Sequence, residues 1–122
     1  MSHMLEECTS LEDLNITHFN TTNVNNLSYM FKYCSRLKSI DVTHFNTSKV
    51  INMSHMFYYC NGLESLNIIN FDVRNVKDIS YMFYYCERFN ELNLENFETI
   101  KVENMSHVFE HCSSISELNI SK

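Results

Sequence analysis

Five cysteines stand at positions 8, 34, 60, 86 and 112, each twenty-six residues after the last. Thiols in that number invite metal ligation or disulfide exchange. Cysteine zinc sites use close pairs, and this spacing offers none. Each Cys instead closes an apolar pattern, where a free thiol packs as a small hydrophobe. Cys34, Cys60 and Cys86 are therefore expected in the core. His18 and His44 are also one interval apart, but two imidazoles without a carboxylate make a poor metal site. Ser28, Ser54, Ser80 and Ser106 repeat identically, and a nucleophile has no use for four copies. No catalytic group, metal or cofactor is expected, and the chain reads as a non-enzyme.

The elements that position these residues recur with the same period. Asn52–Cys60 reads NMSHMFYYC, and Asn26–Cys34, Asp78–Cys86 and Asn104–Cys112 are its copies. A fixed period of this length is the signature of a solenoid, in which neighbouring coils complete each other's core. Residues 1–122 divide into a partial coil at 1–10, full coils at 11–36, 37–62, 63–88 and 89–114, and a partial coil at 115–122. Met1-Ser2-His3-Met4 reads either as a cloning remnant or as the repeat itself, since Met53–Met56 is the same tetrapeptide. The net charge of −6 argues against nucleic acid, which needs clustered Lys and Arg. No apolar run approaches a membrane span, and no signal peptide opens the chain, so an exported form would be a mature fragment.

Within a coil, Ile40-Asp41-Val42 and its counterparts alternate in and out as a half-buried strand does. Phe45 and Phe71 follow as a core column. Asn26, Asn52, Asp78 and Asn104 then have the chemistry of helix N-caps. Leu27, Met30, Phe31 and Cys34 lie at helical spacing, which predicts a two-turn helix with Phe57 and Phe83 buried in later copies. Gly62 is suited to a left-handed cap behind one such helix. Strands stack about 4.8 Å apart and helices about 8–10 Å. The expected architecture is thus an α/β repeat solenoid, with a short parallel strand on the concave side and a short helix on the convex side of every coil.

The run Phe45-Asn46-Thr47-Ser48-Lys49-Val50, continuing through Met53-Ser54-His55-Met56-Phe57 to Cys60, resembles the BspA-like leucine-rich repeats of bacterial surface proteins and mycoplasma lipoproteins. The resemblance runs from Leu5 to Ile120. It implies a leucine-rich-repeat array, display at the cell surface or outside the cell, and a role in adhesion or protein interaction. It implies no shared enzyme activity. Five unpaired cysteines fit a cytoplasmic site instead.

Two faces are candidate binding surfaces. On the concave side Asp41, Asn67 and Asn93, with Glu91 and Glu95, form either an amide ladder or a polar binding floor. On the convex side Tyr58, Tyr59, Tyr84 and Tyr85 either bind a partner or stack on one another. A protein partner, host or self, is expected; a glycan held by the tyrosines and a ligand-free spacer are the alternatives. The last strand, ending at Ile120, has an open edge that invites weak self-association.

Overall fold

The computed structural model describes residues 1–120, apart from the side chains of Asn119 and Ile120. The columns expected for those two side chains, and the end of the partial coil at 115–122, lie outside the described residues. Among the described residues there is no helix, and the strands are β1 (Glu91–Leu94) and β2 (Glu117–Ile120), paired in parallel. The expected α/β leucine-rich-repeat solenoid, with a helix and a strand in every coil, is therefore not the architecture of this chain.

A ladder of backbone hydrogen bonds between copies takes the place of the helices. Leu27, Tyr29, Phe31 and Tyr33 donate their N–H groups to the carbonyls of Asn52, Ser54, Met56 and Tyr58. Met53, His55, Phe57 and Tyr59 donate in the same way to Asp78, Ser80, Met82 and Tyr84. Ile79, Tyr81, Phe83 and Tyr85 repeat the pattern onto Asn104, Ser106, Val108 and Glu110. The alternate N–H groups stay within the copy: those of Met30, Lys32 and Cys34 bond three residues back, to Leu27, Tyr29 and Phe31. Residues 1–8 join the same scheme, with His3, Leu5 and Glu7 donating to Ser28, Met30 and Lys32.

Spacing explains why a helix is excluded. Rings of successive copies lie 4.6 Å apart at Tyr29–His55 and 4.8 Å at His55–Tyr81. That is the rise of a β-ladder, about half of what packed helices need. The expected curvature rested on wide helix spacing and loses its basis. Asn26, Asn52, Asp78 and Asn104 still accept the N–H two residues on, from Ser28, Ser54, Ser80 and Ser106. The bond expected of an N-cap is thus present, but it closes an Asx turn.

Overlapping turns require positive φ twice per copy. Tyr29 and Tyr33, at φ 61° and 63°, are the third residues of the turns closed by Met30 and Cys34, as type II turns demand. His55, Tyr59, Tyr81, Tyr85, His107 and His111 repeat this. Each such non-glycine residue costs about 1–2 kcal/mol. A stacked ring pair contributes about 0.5–1.5 kcal/mol and a ladder bond about the same, so an interior ring with two neighbours offsets its strain.

The other side of the chain is more sparsely joined. Backbone bonds run from Glu64 to Lys38, Asn90 to Glu64 and Ser116 to Asn90, and only the last of these pairs extends into β1 and β2. The side-chain oxygens of Asn15, Asp41, Asn67 and Asn93 accept the N–H groups of Thr17, Thr43, Ile69 and Glu95, which closes a local Asx turn in each of these copies. The expected amide ladder between copies is accordingly replaced by turns local to each copy.

Between the two sides lies one apolar core. Phe45, Phe71, Phe57 and Phe83 are each no more than 3% exposed, and Cys34, Cys60 and Cys86 no more than 1%. Thr21 and Thr47 are buried beside the phenylalanines, and their hydroxyls accept the N–H groups of Asn46 and Asp72 in the next copy. Gly62 is not in a left-handed conformation. Its need is for closeness, since a Cβ there would sit 2.5 Å from the Ser35 carbonyl oxygen.

Glu7 separates the turn geometry from a helix. It is exposed at φ 62° and donates its N–H to Lys32. Glu7→Gly removes about 1–2 kcal/mol of left-handed strain against about 0.4–1 kcal/mol of added unfolded-state freedom. Urea unfolding is expected to show a net gain of about 0.5–1 kcal/mol. A helical segment would instead lose about 1 kcal/mol.

Candidate functional site

The ladder brings side chains of equivalent positions into register, and on one face these are aromatic. Two of the face's columns are the positive-φ positions. His3, Tyr29, His55, Tyr81 and His107 form the first, with neighbouring centroids 4.5–4.8 Å apart. Tyr33, Tyr59, Tyr85 and His111 form the second, with Tyr59–Tyr85 at 4.4 Å and Tyr85–His111 at 4.1 Å. Between them Tyr58 and Tyr84 stack at 5.0 Å with their planes 9° apart. All four candidate tyrosines, Tyr58, Tyr59, Tyr84 and Tyr85, thus meet in one continuous, half-buried patch.

Ring orientation sets what this patch can contact. Tyr59 and Tyr85 lie 12° from parallel, so the stack occupies ring faces and leaves edges and hydroxyls for solvent. Burial first, and neighbouring phenols second, push the Tyr58 hydroxyl above its ordinary pKa; burial, then Glu110, does so for Tyr84. Both hydroxyls therefore remain donors at neutral pH.

Lys32 had no role in the sequence reading and has one here. Its Nζ lies 5.0 Å from the Tyr29 ring centre, 5.1 Å from that of Tyr33 and 5.8 Å from that of Tyr58, and 3.0 Å from a Glu6 carboxylate oxygen. The signal was available, because Lys32 occupies the position that Tyr58 and Tyr84 fill in later copies. A cation beside aromatic columns is attracted by their ring faces.

On the strand side, Asp41, Asn67, Asn93, Glu91 and Glu95 are exposed. Hydrogen bonds from the Thr43 hydroxyl and N–H hold the Asp41 carboxyl below its usual range. Glu91 lies opposite Glu117 in the β1–β2 register, which gathers like charge. His44 turns Nε2 to the Ile16 carbonyl at 3.0 Å. A polar groove of ≈ 440 Å³ beside Gly62, flanked by Arg36, Lys38 and Arg88, was not foreseen.

The cysteines form a column of donors. Cys34, Cys60, Cys86 and Cys112 each direct Sγ to the carbonyl twenty-nine residues back, on Leu5, Phe31, Phe57 and Phe83. Burial pushes the Cys34 thiol up to about 12 and raises those of Cys60, Cys86 and Cys112. A protonated thiol can donate and is a poor nucleophile or metal ligand. Hydrogen bonds to the preceding copy describe the column.

His55 is the titratable member of the aromatic patch with a strained environment. Its Nδ1 is buried without a hydrogen-bond partner. Burial, then the charge of Lys32, lowers its pKa from the ordinary 6.5, against a smaller opposing pull from Asp78. The unfolded chain therefore takes up a proton that the folded chain resists, and stability falls as pH drops below about 6.5. The lowered carboxyls of Asp41 and Asp72 act at more acid pH. His55→Tyr reproduces the residue of the flanking copies. Between pH 7.5 and 5.5 the urea midpoint of the wild type is expected to fall more than that of the variant; parallel slopes would contradict this.

No curated protein and no solved structure matches the chain. A family model does, over residues 1–122, and it is described as a Mycoplasma protein of unknown function, DUF285. With the whole chain covered, this protein belongs to that family.

Proposed function

We propose that this chain is a non-enzymatic protein-interaction module, of the BspA-like repeat type, that binds a partner protein through its aromatic face. The observation carrying the proposal is the continuous patch of Tyr58, Tyr59, Tyr84 and Tyr85, extended by Tyr33 and Lys32. Tyrosine is enriched in binding hot spots because it offers a large rigid area with a polar tip. The ladder prepays the ordering of these side chains, since each ring already packs against neighbours. Display at the cell surface, for adhesion to a host protein, is the setting the repeat resemblance implies. The net charge of −6 disfavours nucleic acid as the partner.

Ring orientation favours a protein over a glycan. Sugar recognition on aromatics uses an open ring face, and here the faces of Tyr59 and Tyr85 are turned towards other rings. Hydroxyls and ring edges suit hydrogen bonding and edge-on packing. The strand-side residues Asp41, Asn67 and Asn93 offer locally satisfied polar groups and are the weaker surface.

The test is a binding screen of host surface proteins and glycans with two substituted forms. Tyr58→Ser with Tyr84→Ser is expected to weaken a protein ligand by about thirtyfold or more, the scale of a hot spot near 2 kcal/mol. Asp41→Ala with Asn93→Ala is expected to leave it within a few-fold. Loss confined to the second form would move the site to the strand side, and a glycan ligand would overturn the protein reading. A wild type that binds nothing in the screen would be a spacer.

A further inference from the structure

Three of the nine lysines and arginines of this acidic chain, Arg36, Lys38 and Arg88, line the polar groove of ≈ 440 Å³ beside Gly62. The groove lies on the edge where the chain passes from Cys34, Cys60 and Cys86 to the strand side, and three successive copies build it. Gly62 stands in register with Arg36 in the copy before and Arg88 in the copy after. Two guanidinium-bearing side chains therefore flank a position that has none. A Cβ at Gly62 would meet the Ser35 carbonyl oxygen at 2.5 Å, so the packing keeps that gap open. The Gly62 N–H donates to no acceptor among the described residues.

Spacing sets what the gap can hold. Backbone bonds from Glu64 to Lys38 and from Asn90 to Glu64 hold the three copies at the ladder distance beside the groove. Two steps of about 4.8 Å put the Arg36 and Arg88 backbones about 9–10 Å apart. That leaves room for one tetrahedral oxyanion with a guanidinium on either side, at charge-assisted N···O distances of about 2.7–2.9 Å. A carboxylate presents its two oxygens to one side and satisfies one arginine fork. A phosphate group presents oxygens to opposite sides and satisfies two. Among the described residues neither Lys38 nor Arg88 has a carboxylate partner. Arg36 is paired through one terminal nitrogen with Glu12, and the other donors of its guanidinium remain for a second acceptor.

The geometry points to a phosphate site on this edge: Arg36 and Arg88 clamp one phosphate group across Gly62, and Lys38 adds a third positive charge. The phosphate is free or carried by a small monoester, since the groove's volume falls at the lower end of ligand pockets. Glu12 and Glu87 also line the groove, so three positive charges stand against two negative ones. Glu12 competes for Arg36 and holds the affinity down. All three cations are exposed, so salt weakens the binding. The site does not use the aromatic face and stands apart from the partner-binding reading.

The experiment is an NMR titration of the isotope-labelled protein at constant ionic strength, with inorganic phosphate, glycerol phosphate and acetate as separate probes. Gly62 is the only glycine, so its amide signal is readily assigned. Inorganic phosphate and the monoester are each expected to shift that signal along a saturating curve, and the tighter of the two names the source of the phosphate group. Acetate is expected to bind at least tenfold more weakly. Arg36→Gln and Arg88→Gln replace exposed side chains and are each expected to weaken phosphate at least tenfold, with the core signals unmoved. Glu12→Gln is expected to tighten it a few-fold. Lys101→Gln makes the same change of net charge as Arg88→Gln outside the groove, and is expected to leave the affinity within twofold. Failure of both phosphate probes to saturate overturns the inference. So does acetate binding as tightly as phosphate, or an equal loss in Lys101→Gln and Arg88→Gln, because net charge alone would then account for the attraction.

Discussion

The structure depends on one constraint: alternate peptide groups from residue 27 to 33, and at the same places in each copy, must bond to the neighbouring copy. Such bonds fix the rise at close to the β-ladder distance. A helix would send every N–H along its own axis and leave its neighbour about 8–10 Å away. The two arrangements cannot share one stack, since Tyr29 and His55 are held 4.6 Å apart. The choice of ladder over helix then dictates the turns, the positive φ angles and the alignment of side chains.

Alignment is also where stability and candidate function meet. Equal side chains at equal places stack, so Phe31–Phe57–Phe83 becomes a core column and Tyr58–Tyr84 a surface one. The rings of the two flanking surface columns, among them His55 and Tyr81, Tyr59 and Tyr85, stand on the backbone positions that carry the strain, at φ near 60°. Their stacking offsets that strain, and their outer edges remain for a partner. Even the thiols take part, since Cys60 and Cys86 reach to the Phe31 and Phe57 carbonyls, which also accept the N–H groups of Cys34 and Cys60.

The burial pattern was legible in the sequence, whereas the backbone that produces it was not. Leu27, Met30, Phe31 and Cys34 are all buried. A helix brings such positions to one side, and so do turns that overlap every four residues, as the positive φ angles of Tyr29 and Tyr33 do. Asn52 read as a helix cap, and its bond to Ser54 is the one a cap would make. Nothing in that bond says whether the following N–H groups go four residues back or one copy onward. Two features bore on the question. A helix of about two turns is too short to hold itself, and tyrosine or histidine recurs at two positions four residues apart. The first weighs against a helix standing alone; the second, at His55 and Tyr59, marks the stacks that a ladder requires. On the strand side, Asp41 and Asn67 were legible as outward-facing, but the local Asx turns that their side chains close were not.

Trans-hydrogen-bond scalar couplings, measured by NMR on uniformly labelled protein, test the ladder most directly. The account predicts couplings from the Tyr29 nitrogen to the Ser54 carbonyl carbon, from His55 to Ser80 and from Tyr81 to Ser106. Couplings from Phe31 to Leu27, Phe57 to Met53 and Phe83 to Ile79, four residues back within each copy, would contradict it and restore the helix.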